Sequence, residues 1–553
     1  MSRDKGKRRR LRLTGLALAA AYLAALLATA PDIGFARDEG FYFHAADSYQ
    51  RWFDRLAEDP GAAVSDSEIR RYWRTNSEHP ALMKVLFGWG HRLLHEWLGW
   101  TRPSTGYRLP GMLAGALIVY LVFVWGAAVY GRWAALLAAA AFALMPRVFY
   151  HAHLACFDVP ISAAWFAVCY LYWRSLSSAR YGVAAGAVYG VALSIKLNAF
   201  FLPVLLGAHY LALLARRKLR DKSSRHPAPK PWAFLWGLLL APPIFFGHWP
   251  WLWHRTLERL EAYLGFHAHH AHYNTAYFGE NVIAAPTPIS LPTVMTAFTV
   301  PSVVLLLAIA GAILLLRRHL PAALDRRVRG WWSPAPPAPR DGFDLLVVIC
   351  ALFPVALISL PSVPIFGGTK HWMPAFPFIA LLAGAGASRL FSIAVKKLKR
   401  LSPRAVRAML LALLLAPPLQ QTIVSHPYGL ASYVPLVGGA PGAADLGMLR
   451  QFWGYTTMGV LPFLNEQVPP GGRVYFHDTA RPSVEMFRRD GTLREDIENW
   501  RIRGSDYALV HHELHMIMVD TYIWNSYGSV HPAHVLTHQG VPLVSVYENP
   551  KRQ

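Results

Sequence analysis

Eleven stretches of this chain are apolar over lengths that approach the thickness of a bilayer: residues 11–30, 108–127, 133–150, 158–174, 182–197, 199–215, 232–248, 294–316, 343–361, 372–392 and 408–424. A helix needs about 20 apolar residues to cross the hydrocarbon core, and some of these runs sit at the short end of that range. Lipid is the solvent that such a series of runs requires. The expected fold is therefore an α-helical polytopic membrane protein with about eleven transmembrane helices. Composition agrees: 54% of the 553 residues are hydrophobic and only 16% are charged, with a mean hydropathy of +0.25. Ordinary soluble domains do not combine these values.

The loops between the runs orient them. Seven Lys/Arg crowd the first twelve residues, and basic clusters recur at Arg132, at Arg174 and Arg180, from Arg216 to Lys230, from Arg317 to Arg340 and from Lys396 to Arg407. These are the alternate loops counted from a cytoplasmic N-terminus, as the positive-inside rule demands. The net charge of +23 is thus charge facing anionic lipid. No nucleic-acid-binding motif accompanies it, and nucleic acid is excluded as a partner. The first run could be a cleaved signal peptide ending at Ala28-Thr29-Ala30, but its length favours an uncleaved anchor. Cys169 and Cys350 lie in apolar runs and Cys156 at the edge of one, a placement that argues against a disulfide framework.

Two loops expected outside the cytoplasm are long, 31–107 and 249–293. In the first, Phe41 to Leu56 reads as an amphipathic helix with Phe41, Ala45, Trp52 and Leu56 on one side. Pro80 to Trp97 reads as a second, with Leu82, Leu86, Trp89, Leu93 and Trp97. Both have the pattern of helices lying on the membrane surface. The second loop opens on the aromatic cluster Trp249 to Trp253 and continues with the His-rich run 267–272. Ser333 to Pro339 is a Pro-rich spacer. The domains are expected to be 1–424 in the membrane and 425–553 as a small extracytoplasmic α/β domain. Its strands are read at 473–476, 507–510 and 542–547, and its helices at 482–489 and 515–524.

Within this frame the stretch Ala36-Arg37-Asp38-Glu39-Gly40-Phe41-Tyr42 stands out, because two adjacent carboxylates follow the first span. Ionisable residues at a membrane boundary mark function by default. Both acids could cap the following helix; alternatively Asp38 faces a cavity while Glu39 caps or supports. Lys84, one turn into the helix after His79-Pro80, either snorkels to lipid headgroups or binds a phosphate. Asp158, in Ala155-Cys156-Phe157-Asp158-Val159-Pro160, is either a helix cap or a second carboxylate on the same cavity. Lys196 and the pair Lys370-His371 fall at further external boundaries. Two acids and several bases at one depth suit an anionic lipid headgroup and a proton to be removed. The His run is read as solvated or acceptor-binding rather than as a fixed metal site, and a divalent cation is left open as a cofactor.

Several of these residues recur in order as motifs: Asp38-Glu39, Glu78-His79-Pro80-x-Leu82-x-Lys84, Tyr107-Arg108-Leu109-Pro110, Ala155-x-x-Asp158-x-Pro160, Lys196, Lys370-His371-Trp372-x-Pro374-x-x-Pro377, His426-Pro427-Tyr428-Gly429 and Val437-Gly438-Gly439. Together, over roughly residues 10 to 465, they resemble bacterial members of glycosyltransferase family 39. This is the protein O-mannosyltransferase-like branch of the GT-C superfamily, to which the lipid A aminoarabinose transferases are related. Ala81 departs from the pattern, which usually has Pro-Pro at 80–81. The resemblance implies an inverting transfer of a sugar from a polyprenyl-phosphate donor to an acceptor hydroxyl of a protein, lipid or glycan. The reaction would occur on the extracytoplasmic face of the bacterial inner membrane. It further implies Asp38 as general base and Asp158 as a catalytic partner, with Lys84, Lys196 and Lys370 on the phosphate and Glu39, His79 and His371 around the substrates. The rival reading is a transporter or flippase of a lipid-linked anion, which should show paired halves and charges at the bilayer midplane. Neither feature is legible here.

The orientation carries a test. A periplasmic-type reporter fused after Tyr428 is expected to be active and a cytoplasmic reporter at the same position silent; the reverse pattern would overturn the span count.

Overall fold

The computed structural model describes residues 2–219, 228–317, 342–365, 367–516 and 518–552. The Pro-rich spacer 333–339 and most of the basic clusters expected at 216–230 and 317–340 lie outside the described residues. All eleven apolar runs are helical. Among the described residues five helices are long and apolar enough to cross a membrane, and up to seven if each bent pair counts as one span. The chain is a multi-pass helical membrane protein.

Two runs are not straight. Residues 133–150 break into Arg132–Ala143 and Pro146–His153, bent by 65°, and residues 294–316 into Leu291–Thr299 and Ser302–Arg317, bent by 118°. Each break precedes or contains a proline, Pro146 or Pro301, and proline disfavours helical geometry in the residue before it and removes a backbone donor. Hydrophobicity alone cannot reveal such a bend. Trp232–Gly247 and Phe343–Ile358 are apolar but short of a full crossing.

Helix α1 (Ser2–Thr29) leads through a short turn into α2 (Arg37–Glu58). Asp38 and Glu39 occupy the first turn of α2, where carboxylates oppose the positive end of the helix dipole. The Glu39 Oε2 accepts the Ala36 N–H at 3.0 Å, so the capping expected of one acid falls to Glu39. Tyr42, Ala45, Tyr49 and Trp52 form the buried face of α2. Phe41, expected on that face, is 43% exposed and lines the cavity described below. The second amphipathic segment forms Leu82–His91 followed by a π-helical turn, Arg92–Trp97. Leu86, Trp89, Leu93 and Trp97 lie uncovered along it, an apolar stripe of the kind that enters an interfacial layer.

The C-terminal part carries a two-layer αβ unit. Its strands are β3 (Arg473–Tyr475), β4 (Glu498–Asn499), β5 (Tyr507–His511), β6 (His534–His538) and β7 (Val541–Glu548); a separate hairpin of β1 (Thr275–Tyr277) and β2 (Glu280–Val282) sits in the 249–293 loop. The five-stranded order is β4-β3-β5-β7-β6, parallel on the β4-β3-β5 side and antiparallel on the other. The three strands read from sequence are present; the short β4 and the half-exposed β6 carried too little apolar alternation to be seen. Arg481–Arg489 packs against the start of α2. At Gly40 a Cβ would stand 2.5 Å from the Ser483 Oγ, so only glycine admits this approach.

One ion pair locks these parts together. Arg108, in the helix Pro103–Val129, is 1% exposed and Glu39 fully buried. Arg108 Nε and Nη2 donate to the two Glu39 oxygens, each at 2.9 Å. The remaining donors reach the carbonyls of Ile33 at 2.8 Å and Gly34 at 2.9 Å. Glu39 Oε1 also accepts the Ala155 N–H at 2.9 Å. The charges are thus paired and their other hydrogen-bonding capacity is met, the condition under which a buried pair is tolerable.

Removing one partner leaves a bare charge in the core. Arg108→Leu is expected to destabilise the protein by about 3–5 kcal/mol, seen as a lowered thermal midpoint in detergent. The double variant Glu39→Leu/Arg108→Leu should recover part of that loss; a single variant as stable as wild type would show the pair to be dispensable.

Candidate active site

A cavity of about 780 Å³ opens between α2, the 154–158 turn, the 196–201 turn, the 249–293 loop and the 3-10 helix Gly368–Ala375. Asp38, Asp158, His79, Lys196, Lys370 and His371 all line it. Residues 332 positions apart are thereby brought to one place: Lys370 Nζ donates to Asp38 Oδ2 at 3.3 Å. A second pair stands beside the first, with Lys196 Nζ donating to Asp158 Oδ1 at 2.7 Å. Asp38 is 30% exposed and Lys370 only 4%, so the carboxylate is the accessible member. In the second pair the order reverses, with Lys196 at 22% and Asp158 at 5%.

Local structure places each group. Asp158 opens the helix Asp158–Ser175. Lys196 sits in extended backbone between the helix Ala179–Leu193 and the 3-10 turn Leu197–Phe201. Lys370 follows Gly367, whose φ of 81° turns the chain back into the cavity at low cost only for glycine. Tyr42 lies on Phe157, ring centroids 4.2 Å apart. Apolar side chains, among them Leu197, Phe201, Leu291, Met295 and Val363, also line it. Charged and apolar groups on one cavity suit a ligand with a polar head and a hydrocarbon tail.

His79 is enclosed by Tyr42, Phe157, Phe266 and His267. Burial, reinforced by the positive charge of Lys84, holds its imidazole well below its usual range, so it is neutral and offers a hydrogen bond rather than a charge. His267 Nε2 donates to the Glu78 carbonyl at 3.0 Å and, with His270 and His272, borders the cavity. Among the described residues no three His, Cys, Asp or Glu side chains gather as a metal-binding group.

Two expected site residues do not reach the cavity. Glu39 is consumed by Arg108 and two backbone amides. Lys84 is fully buried, and its ammonium donates to the Asn76 carbonyl at 2.5 Å, the Asn76 Oδ1 at 3.1 Å and the His79 carbonyl at 2.9 Å. Burial pushes Lys84 down to about 7, with Glu78 opposing. The geometry makes Lys84 the anchor of the 76–79 turn that carries Glu78 and His79 to the cavity. Sequence could not distinguish this from phosphate binding, because a lysine beside a helix start reads the same whether its head turns in or out. Conversely, Arg37, Trp453 and Asp478 border the cavity without having been anticipated; the last two come from the C-terminal part, and no spacing rule links them to Asp38.

Comparison with known proteins adds three observations. Residues 79–251 match the family described as dolichyl-phosphate-mannose-protein mannosyltransferase, so that stretch carries a domain of this glycosyltransferase family. No curated protein matches the chain at a significant level. Among solved structures, ArnT from Cupriavidus metallidurans bound to undecaprenyl phosphate aligns at 13% identity and TM-score 0.46, covering 96% of this chain and 97% of that one. The same protein in the apo state aligns at 14% and 0.47, with the same coverage. The Archaeoglobus fulgidus oligosaccharyltransferase in the apo form aligns at 11% and 0.49, covering 90% and 69%.

Lys84→Met should strand three acceptors in the interior. A loss of about 2–4 kcal/mol is expected, together with faster hydrogen exchange of the 76–79 amides. Wild-type stability and exchange would return Lys84 to the list of ligand-binding residues.

Proposed function

We propose that this protein is a membrane glycosyltransferase that moves a sugar from a polyprenyl-phosphate donor to an acceptor hydroxyl, with inversion. The observation that carries the reading is the pair of acid–lysine contacts, Asp38–Lys370 and Asp158–Lys196, on one cavity that apolar side chains also line. The family match over residues 79–251 supports the reaction class.

The chemistry follows from the charges. At rest Asp38 Oδ2 accepts from Lys370 Nζ at 3.3 Å and is engaged by that ammonium. A donor phosphate entering beside Lys370 and Lys196 competes for both ammonium groups. Lys370 then turns from the carboxylate to the phosphate oxygens, and Asp38 is released to accept a proton. The acceptor oxygen attacks the anomeric carbon on the face opposite the phosphate. The carbon–oxygen bond to the phosphate breaks, the proton of the hydroxyl passes to Asp38, and the polyprenyl phosphate leaves with the bonding pair, its charge held by the two lysines. Asp158 keeps Lys196 in place, and the apolar side chains take the first isoprene units of the tail. His79 and His371 border the sugar. A divalent cation is not required by these steps.

In this scheme residues 1–424 form the transferase body, with eleven crossings and a cytoplasmic N-terminus. Residues 425–553 lie outside the cytoplasm, and the host is the bacterial inner membrane, with the cavity facing the exterior.

Purified protein incubated with labelled polyprenyl-phosphate sugars should transfer label to a hydroxyl acceptor. Asp38→Asn is expected to lower the rate by about 10²–10⁴ while leaving folding, membrane insertion and donor binding intact. Transfer at the wild-type rate by Asp38→Asn would refute the base assignment. Donor movement across vesicles without transfer would favour a transporter.

A further inference from the structure

Two side chains of the C-terminal part reach the cavity and are not used by the reaction above. Trp453 is 8% exposed, and its ring lies under the Lys370 ammonium, 3.8 Å from Nζ to the centroid. Asp478, at the end of the β3 strand's exit loop, has a 5% exposed side chain, and Arg37 Nη1 donates to its Oδ1 at 3.2 Å. The Trp453 carbonyl also accepts the Arg37 N–H at 2.9 Å. Arg37 immediately precedes Asp38 in the first turn of α2. The carboxylate and its lysine are therefore each one contact away from the same C-terminal loop pair.

The backbone of that loop pair is unusual. Trp453 has φ 81°, an outlier for a bulky residue, and Asp478 has φ 46°, a left-handed value that aspartate adopts more readily. Gly454 has φ 63°, and a Cβ there would stand 2.0 Å from the Asp478 carbonyl. The two loops are thus pressed together over the cavity, and strain held by surrounding structure concentrates where geometry serves function.

We propose that Trp453 and Asp478 are positioning residues of this active site. Trp453 holds Lys370 and Asp478 holds Arg37, and together they set the direction of the Asp38 carboxylate. The proposal rests on the reading of Asp38 as the base. It makes the C-terminal part a component of the site. The ring face of Trp453 fixes the height of the ammonium by cation–π attraction without neutralising it, so that Lys370 can exchange Asp38 for phosphate. Asp478 is faced by Arg37 and Asp38 from α2, by the buried Glu513 beyond β5 and by Tyr475 on β3, while His477 beside it accepts the His511 N–H at 2.9 Å. Burial pushes the Asp478 carboxyl up to about 6, with Arg37 pulling it down and Asp38 pushing it up. The sign is that of a raised acid: Asp478 is ionised and grips Arg37 above that pH, and releases it as the pH falls through it.

Two measurements test this. The first needs no substrate. Acetylation of Lys370 by acetic anhydride, read by mass spectrometry on the full-length protein, should be at least about threefold faster in Trp453→Leu than in wild type. Trp453→Phe, which keeps an aromatic face, should react at nearly the wild-type rate. Equal rates in all three would overturn the role of Trp453, whatever the reaction proves to be. The second is the pH profile of sugar transfer. Asp478→Asn should lower kcat about tenfold with the donor KM unchanged, and should flatten the acid limb that wild type shows near pH 6, because the carboxyl that releases Arg37 there is gone. Asp478→Glu should restore the wild-type limb. A merely structural role would lower the rate with the limb in place, and that result would overturn the role of Asp478. If wild type transfers no sugar, the functional reading fails, and the acetylation rates still decide the role of Trp453. If Trp453→Leu does not fold, the Asp478→Asn profile decides alone.

Discussion

The guanidinium of Arg108 and the carboxylate of Glu39 meet in the interior, and much of the structure depends on that contact. A bidentate pair has a fixed plane, so each backbone group it touches is fixed as well. Those groups belong to the end of the first helix at Ile33 and Gly34, the start of α2 at Ala36 and the turn before Asp158 at Ala155. The pair therefore sets the separation of Asp38, one residue from Glu39, and Asp158, three residues from Ala155. An apolar substitute could fill the space but could not hold three irregular backbone segments, whose amides and carbonyls would go unmet.

Around this anchor the charges divide by task. Arg108 and Lys84 are buried and fully engaged with carbonyls or a carboxylate, and they shape the turns that approach the cavity. Lys196 and Lys370 line the cavity itself, Lys196 against Asp158 and Lys370 against Asp38. Residues of one chemical type thus hold the scaffold or line the cavity according to what surrounds the head. The same holds for the acids: Glu39 and Asp38 are neighbours in sequence, yet a helical first turn sends one inward and leaves the other 30% exposed.

Much of this was legible in the sequence. The eleven apolar runs are all helices, because hydrophobic length is a local property and lipid selects for it. The candidate residues Asp38, His79, Asp158, Lys196, Lys370 and His371 converge on one cavity, because ionisable groups near a membrane boundary are costly unless they work together. The bends at Pro146 and Pro301 were not read, because hydrophobic length carries no angle, although the prolines that make them stand in the sequence. The inward turn of Lys84 was not legible, because it depends on what packs alongside, and neither residue type nor spacing records that. Trp453 and Asp478 were hidden for a related reason, since their partners lie 83 and 441 positions away in Lys370 and Arg37 (453 − 370 and 478 − 37).

By itself, then, the sequence determined a multi-pass helical membrane protein, a set of ionisable residues that gather on one cavity and a segment that resembles a glycosyltransferase family. The first two follow from composition over short windows and from the cost of charge near lipid; the last rests on motif resemblance and on the family match over residues 79–251. The tertiary structure alone decided which lysines face the cavity and which hold the scaffold, that Glu39 is a partner of Arg108, and that the C-terminal part closes over Asp38 and Lys370. These are outcomes of where hydrogen-bond acceptors come together in space, and only the packed chain brings them together.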